Sequence, residues 1–453
     1  MFIFSQEIIN IRTHNILLKE SKKYFNEISK KEKINIQYSQ INFFNSNLPN
    51  FENMNGHYFP KGFGSITELY MSYTNRFLKF SFQPKMNISK VYNITPPIKE
   101  KEFSVLNDVP LKKDFLNSKS RNTGLEFKYK KLSMGYGNWD RWWGPGIHNS
   151  LTLSNNSRGF YHYFIKLNNM HIPNDIFINS TYSVSNPLKN NHNNEFFISR
   201  WSVNVYYKNI ELGIASQVES GGNTDIEWSI NDAFFILINR NKEKYWDYSN
   251  SYYVKVIFPK SNLIVFYETA FPKQIFSENY NPKIYYDHLR ATNIGLRKYG
   301  FMGMKNVVVG FEYARLIQGL YFNKIPTQNW YSNYKYDYSS YGGRRYGAHS
   351  GTDSDDFFVY LGNINKKHSI IYQFNFERHG ITFNFPPEVK FEQTLILSYK
   401  HDSMLFFLQY ENEYFNHYGF VDKNNNVWEQ IPETDSLQRT KSLIFGIDYL
   451  IKY

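Results

Sequence analysis

His349 is followed by Asp353, Asp355 and Asp356 in the run Tyr341-Gly-Gly-Arg-Arg-Tyr-Gly-Ala-His-Ser-Gly-Thr-Asp-Ser-Asp-Asp-Phe-Phe-Val-Tyr-Leu-Gly362. Three carboxylates offer the hard oxygen ligands that calcium takes. An imidazole near a carboxylate is the beginning of a hydrolytic site. Neither chemistry is complete. The acid spacing lacks the rest of an EF-hand loop, and no Ser/His/Asp arrangement recurs around His349. Solvated loop charges account for the acids, so the expectation is no metal, no cofactor and no catalytic residue.

The second chemistry that these residue types suit is sugar recognition. Segments Asn329–Tyr341 and Tyr410–Tyr418 are dense in Tyr and carry Trp330, Phe415 and His417. Flat amphipathic rings beside amides and charges supply what a sugar needs, an apolar face with hydrogen-bond donors around it. The expected polysaccharide-binding set is Trp330, Tyr334, Tyr336, Arg344, Arg345, His349, Asp353 and Asp355. For Tyr410 and Tyr414 an aromatic girdle at a membrane interface explains the residues equally well. Period-two parity further places Lys128, Lys130, Arg200, Arg297 and Lys400 on a polar face. A basic hydrated surface attracts anionic solutes, although pairing with Glu126, Glu211 and Glu312 is the plainer account of each residue singly.

Strands must position these groups. The chain has 453 residues, 19% of them aromatic, with 38 Tyr and 40 Phe. Mean hydropathy is −0.55, and no stretch approaches the roughly 20 uninterrupted apolar residues of a spanning helix. Many aromatics without a long apolar run is the composition of a transmembrane barrel, in which only alternate residues face lipid. The soluble alternative is a sandwich or propeller with Tyr and Phe enriched as strand formers. There is no cysteine, hence no disulfide framework or thiolate site. The net charge of +12 is spread through the chain rather than gathered in a block, which argues against a nucleic-acid partner.

Alternation is visible at Leu69, Met71 and Tyr73, at Leu78, Phe80 and Phe82, and at Leu125, Phe127 and Tyr129. It is clearer after Asn194, as in Trp201, Val203, Val205 and Tyr207 against Arg200, Ser202 and Asn204. Tight turns at Lys208–Asn209, Pro259–Asn262, Tyr299–Lys305, Asn363–Lys367 and Lys400–Ser403 alternate with long polar segments. Those segments are Glu219–Asn250, Pro272–Ala291, Gln318–Asp356, His379–Lys390 and Asn412–Thr440. Outer-membrane barrels sort their loops this way, short on the periplasmic side and long outside; a sandwich does not. One departure is the tight Tyr73–Arg76 turn, which by parity falls on the long-loop side. Between Asn87 and Arg121 the pattern is weak. In the last strand Leu443, Phe445, Ile447, Tyr449, Ile451 and Tyr453 form one apolar row, with Ser442, Gly446, Asp448 and Lys452 opposite. Eleven candidate strands follow Asn194 and five to seven precede it. The predicted fold is therefore an all-β transmembrane antiparallel barrel of about 16–18 strands, 18 favoured.

A Lys/Glu-rich stretch, Thr13–Lys33, reads as a helix with Ile16, Leu17, Tyr24 and Ile28 as a modest stripe. The expected division is 1–60, a partly helical amino-terminal region, and 61–453, the barrel. Phe2-Ile3-Phe4-Ser5 reads as the tail of an export signal, so a truncated or processed amino terminus is expected.

The most distinctive stretch runs from Asn138 to Arg158. Trp142 and Trp143 precede Gly144-Pro145-Gly146, where the glycines permit unusual backbone angles and the proline stiffens the bend. Ser150 to Ser154 alternates with Leu151 and Leu153, as a strand leaving that bend would. Trp143-Gly144-Pro145-Gly146 followed by Ser150-Leu151-Thr152-Leu153-Ser154-Asn155-Asn156-Ser157-Arg158 resembles the signature of the Wzi family, outer-membrane capsule-assembly proteins of Gram-negative bacteria. The Tyr341–Gly362 run is more loosely similar, through Arg344, Arg345, Gly347, His349, Asp353, Asp355, Asp356, Leu361 and Gly362. The resemblance implies a non-enzymatic, lectin-like outer-membrane protein that helps attach or organise exported capsular or extracellular polysaccharide. It implies helices at the periplasmic mouth. The last strand, an apolar row ending in the aromatic Tyr453, resembles the carboxy-terminal signal of outer-membrane barrels, so the barrel-assembly machinery is an expected partner. The partners expected are an anionic polysaccharide and outer-membrane lipid with lipopolysaccharide. The Trp-Gly-Pro-Gly residues are expected to be architectural. A porin or substrate-specific channel is the alternative on the same architecture, and a barrel-embedded hydrolase is the third class.

Overall fold

The computed structural model describes residues 34–48, 59–89, 120–190, 194–221, 246–271, 290–316, 344–381, 387–417 and 437–451. Positions 17, 52–54, 57, 330, 331, 333, 336 and 339–341 are described between them. Eighteen long antiparallel strands form one closed sheet. The first seven are β1 (Ile34–Asn45), β2 (Gly62–Thr74), β3 (Leu78–Ser89), β4 (Ser120–Tyr129), β5 (Leu132–Gly137), β6 (His162–Ile172) and β7 (Ile176–Ser185). A two-residue β8 (Leu188–Lys189) leans on β9 (Glu195–Tyr207), which pairs directly with β7. The wall continues through β10 (Ile210–Gly221), β11 (Asp247–Phe258), β12 (Leu263–Phe271), β13 (Ala291–Tyr299) and β14 (Val307–Arg315). After a small separate hairpin, β15 (Ser340–Tyr341) and β16 (Arg344–Arg345), it resumes as β17 (Ser354–Ile364), β18 (His368–His379), β19 (Glu388–His401), β20 (Met404–Asn416) and β21 (Gln438–Ile451).

Closure follows from the last strand. β21 pairs with both β20 and β1, with Ile36 opposite Ile451 and Asn45 opposite Ser442, so the ring has no free edge. Its Leu443, Phe445, Ile447 and Tyr449 are exposed on the outer face, whereas Ser442, Ile444 and Asp448 are buried inside. The same outward row continues on neighbouring strands through Phe406, Leu408 and Tyr410 and, farther round, Phe127, Met134 and Ile165. Tyr410 and Tyr414 lie on β20 and point to that outer face.

The loop sorting read from the sequence extends all the way round. At one end, turns 75–77, 130–131, 173–175, 208–209, 259–262, 300–306, 365–367 and 402–403 are two to seven residues long. At the other end lie the longer connections, 46–61, 90–119, 138–161, 186–194, 222–246, 272–290, 316–353, 380–387 and 417–437. The Tyr73–Arg76 turn is no departure. With β1 counted and seven wall strands ahead of Asn194, it falls among the short turns.

β1 also corrects the domain boundary, because the wall begins at Ile34 rather than at 61. The helix expected over Thr13–Lys33 lies outside the described residues, apart from Leu17, which is buried in the interior among Ile147, Val308 and Ile364. Two of the five basic side chains assigned to the inner face, Lys130 and Lys400, are exposed at the short-turn end, while Arg200 and Arg297 are buried inside.

Candidate functional site

The inward face of the wall does not line an open tube. Polar side chains on β12, β13, β14 and β17 grip a strap, residues 138–161, that enters from the long-connection end. Glu312 on β14, fully buried, accepts hydrogen bonds from the backbone N–H groups of Ile147 (2.5 Å), His148 (3.0 Å) and Asn149 (3.2 Å). Glu268 on β12 accepts from Leu151 N at 3.2 Å. On β13, Asn293 donates to Asn149 O at 3.0 Å and Arg297 to Pro145 O at 3.2 Å. On β17, Asp356 accepts from Asn149 Nδ2 at 2.7 Å. An irregular buried backbone needs a partner for each N–H and C=O. Here the wall supplies them, and carboxylate acceptors make the bonds charge-assisted.

This explains the residue types in the strap. A Cβ at Gly146 would lie 2.3 Å from Asn149 O and 2.8 Å from Glu312 Oε2, so the requirement there is close approach rather than backbone angle. Gly144, at φ 153, also has Ser150 Oγ 2.6 Å from its would-be Cβ. The run Ser150–Ser154 is not the strand expected. Its one ladder contact is the isolated bridge between Trp143 and Leu153. Its other backbone groups bind side chains and the next segment: Tyr331 Oη donates to Leu151 O at 2.6 Å, and Ser154 N donates to Tyr346 O at 2.5 Å. Asn156 donates to Arg345 O at 3.3 Å, Asn155 to Asn53 O at 3.0 Å, and the Arg158 guanidinium lies 5.4 Å over the Tyr341 ring. Trp142, a further member of the run, is half-buried beside Trp143.

The expected sugar-binding residues sit in this same filling. Trp330 and Tyr331 pack with Leu151 and Ala348 against Ala270, Ala291 and Ala314, three small residues on successive strands. Tyr336 and Tyr346 pack with Leu153, Phe160, Phe196 and Ile198. Trp330, Tyr336, Arg344, Arg345, His349, Asp353 and Asp355 are all buried, so none is an exposed loop contact for a polymer. Tyr334 lies outside the described residues. Nor are the acids solvated: Asp353, Asp355 and Asp356 are buried where β17 emerges from the filling. Asp355 is on the opposite face of β17 from Asp356 and forms a two-pronged pair with Arg378 across to β18. The three acids therefore do not converge on a calcium ion.

What does converge on His349 is a network the sequence did not announce. His349 Nε2 lies 3.2 Å from Glu377 Oε1 and 3.2 Å from Asp356 Oδ2, and His148 Nε2 lies 3.3 Å from Asp356 Oδ2. The His148 ring stacks on Phe358 with centroids 3.9 Å apart. Lys390 on β19 reaches Glu377 at 3.4 Å, Glu392 at 3.0 Å and Glu413 at 3.5 Å, and it also pairs with Glu52, between β1 and β2 in the chain. Burial works against charge on His349, but Glu377, Asp356 and Glu52 outweigh it and push the imidazole up to about 9. His148, His349, Asp356 and Glu377 have donor atoms within 4.8 Å of one another, a set compatible with a transition-metal ion. The same atoms are already spanned by ion pairs to His349 and Lys390. As it stands, the arrangement is a charge-compensated clamp joining both filling segments to the wall. Sequence reasoning missed Glu52, Glu268, Glu377 and Lys390 and named Glu312 only as a partner for inner-face cations, because the groups they bind come from distant segments.

No known family profile and no curated protein matches the chain. Among solved structures it is similar to Wzi, described as an outer-membrane protein involved in group 1 capsule assembly in Escherichia coli and a carbohydrate-binding β-barrel. That likeness has a TM-score of 0.63 at 11% identity and covers 96% of this chain and 93% of that one. OpdQ of Pseudomonas aeruginosa aligns over 92% of this chain and 97% of its own at TM-score 0.47 and 9% identity. OccAB4 of Acinetobacter baumannii aligns over 94% and 99% at TM-score 0.46 and 11% identity. The chain has the fold of an outer-membrane β-barrel.

Proposed function

We propose that this protein is a non-enzymatic outer-membrane barrel that binds exported polysaccharide and helps hold it at the cell surface. The observation that carries the reading is the filled lumen. Strap 138–161 and the described residues of the connection between β14 and β17 are fixed to the wall by buried carboxylates, an arrangement suited to presenting a surface rather than passing solutes. The whole-length likeness to a carbohydrate-binding barrel supports it. The acidic and histidine groups near His349 are spent on ion pairs, which favours a binding role over hydrolysis. On this reading the long connections face outward and the short turns face the periplasm. The partners are an acidic capsular or extracellular polysaccharide, with lipid and lipopolysaccharide around the wall.

Partitioning of polysaccharide in a strain lacking the gene, with complementation, tests this. Cell-attached and released polymer are measured side by side. The reading requires unchanged total polymer with a shift into the medium. Unchanged attachment together with reduced uptake of a small solute would replace it with the channel alternative.

A further inference from the structure

Between the strap and strands β6 and β9 lies a partly enclosed cavity with about 250 Å³ of atom-free space and room at its centre for about one water-sized group. Its charged lining is entirely basic, Arg141, Arg158 and Arg200, with His162 beside them and Trp139 and Phe160 as apolar walls. Asp140, next in sequence, is turned away, bound to Arg121 at 2.6 Å and to Gly159 N at 2.9 Å. Among the described residues no carboxylate forms a salt bridge with Arg141 or Arg200.

The individual side chains are held in place rather than neutralised. Arg200 on β9 is only 5% exposed and donates through Nε to Gln217 at 2.7 Å. Its guanidinium lies over the rings of Phe160 (4.6 Å) and Tyr346 (4.9 Å), and one terminal nitrogen is buried with no hydrogen-bond partner. Arg141 donates to Ser183 Oγ at 2.8 Å and to His162 Nε2. His162 Nδ1 donates to Phe160 O at 2.7 Å, which leaves Nε2 as the acceptor for Arg141. Burial, and then the nearby Arg200 charge, push Arg141 down to about 9. A buried guanidinium with an unmet donor is costly unless an acceptor arrives. Arg200, with that unmet donor, and Arg141 face one space whose lining holds no acid; together they define a receptor for an anion, and the fork of Arg matches a carboxylate.

We propose that this cavity binds one carboxylate group of an acidic sugar residue, with Arg200 and Arg141 as the recognising side chains. The room at the centre takes one oxygen, so a carboxylate enters by one oxygen at the mouth and the sugar ring stays outside; the site selects for charge on a polymer rather than for a particular sugar. The sugar assignment rests on the polysaccharide reading above; anion binding as such does not.

The test is calorimetric titration of the full-length detergent-solubilised protein with glucuronate, glucose and inorganic phosphate, alongside R200Q and R141Q. Folding of each variant is checked by heat-modifiable gel mobility. The expected result is saturable glucuronate binding, none for glucose, and at least tenfold weaker glucuronate binding in either folded variant. Glucuronate should also raise the melting temperature of the wild type and not of R200Q. Because removing one of two facing cations relieves repulsion, R200Q without ligand should melt no lower than wild type. Should R200Q fail to fold, R141Q alone decides the matter. Equal responses to glucose and glucuronate, or undiminished binding in a folded variant, would overturn the site. Phosphate binding tighter than glucuronate would overturn the carboxylate assignment. Loss of polymer attachment in the deletion strain without glucuronate binding sinks the cavity and leaves the function; the reverse pattern sinks the function and leaves the cavity.

Discussion

The wall and the filling of this barrel are stabilised by different physics. The wall is periodic: inter-strand ladders satisfy its backbone, and an apolar outer face, as on β21, is turned away from the filling. The filling is aperiodic. Its backbone is satisfied one group at a time by charged side chains from the wall, with Glu312 alone taking three N–H groups. A wall residue is therefore replaceable by another of like polarity, whereas a filling contact is a specific pairing across a long sequence separation. Asn149 and Asp356, for instance, are 207 positions apart.

The largest separation of the two regions should come from E312A. It strips three buried N–H groups of their acceptor, and a loss of about 3–5 kcal/mol of local stability is expected. Proteolysis or hydrogen exchange in residues 144–151 should rise sharply while the wall keeps its heat-modifiable mobility. F445R tests the converse. Charge on the lipid face should cost about 2–4 kcal/mol of barrel stability, read as reduced assembly yield, with normal protection of the strap in what does assemble. G146A is expected to cost about 1–3 kcal/mol through overpacking against Asn149 O and Glu312. It should show the same local signature as E312A, more weakly.

The clamp around His349 gives a pH test. Its folded value, about 9, lies above the ordinary 6.5. The stabilisation is therefore fully present below about pH 6.5 and is lost as pH rises through about 9. Exchange of the filling should accelerate over that interval, and H349Q should remove the step. The smallest effect belongs to K400A. Exposed at the short-turn end, it should change stability by less than about 0.5 kcal/mol and leave the strap untouched.

What could be read in the sequence follows the same division. A strand such as β21 was visible because its outward residues Leu443, Phe445, Ile447 and Tyr449 hold one parity along its length. β1 was not, because its apolar residues change face midway: Tyr38 is exposed on the outside, but Ile41 and Phe43 are buried inside. Outward Gln40 instead bonds to Ser65 and Thr67 of β2. The Trp-Gly-Pro-Gly run signalled a constrained bend, but its inward placement did not follow from it. The acids at Asp353–Asp356 read as solvated because their partners, Asn149, His148 and Arg378, come from distant segments. Sequence separation hides such pairings, and only the closed wall brings them together.

Conductance of the purified protein in planar bilayers tests the central claim, a barrel filled for binding rather than open for passage. Wild-type protein should show no steady ohmic current, and E312A should show openings as the strap loosens. A stable porin-like conductance in the wild type, unchanged in E312A, would contradict the account.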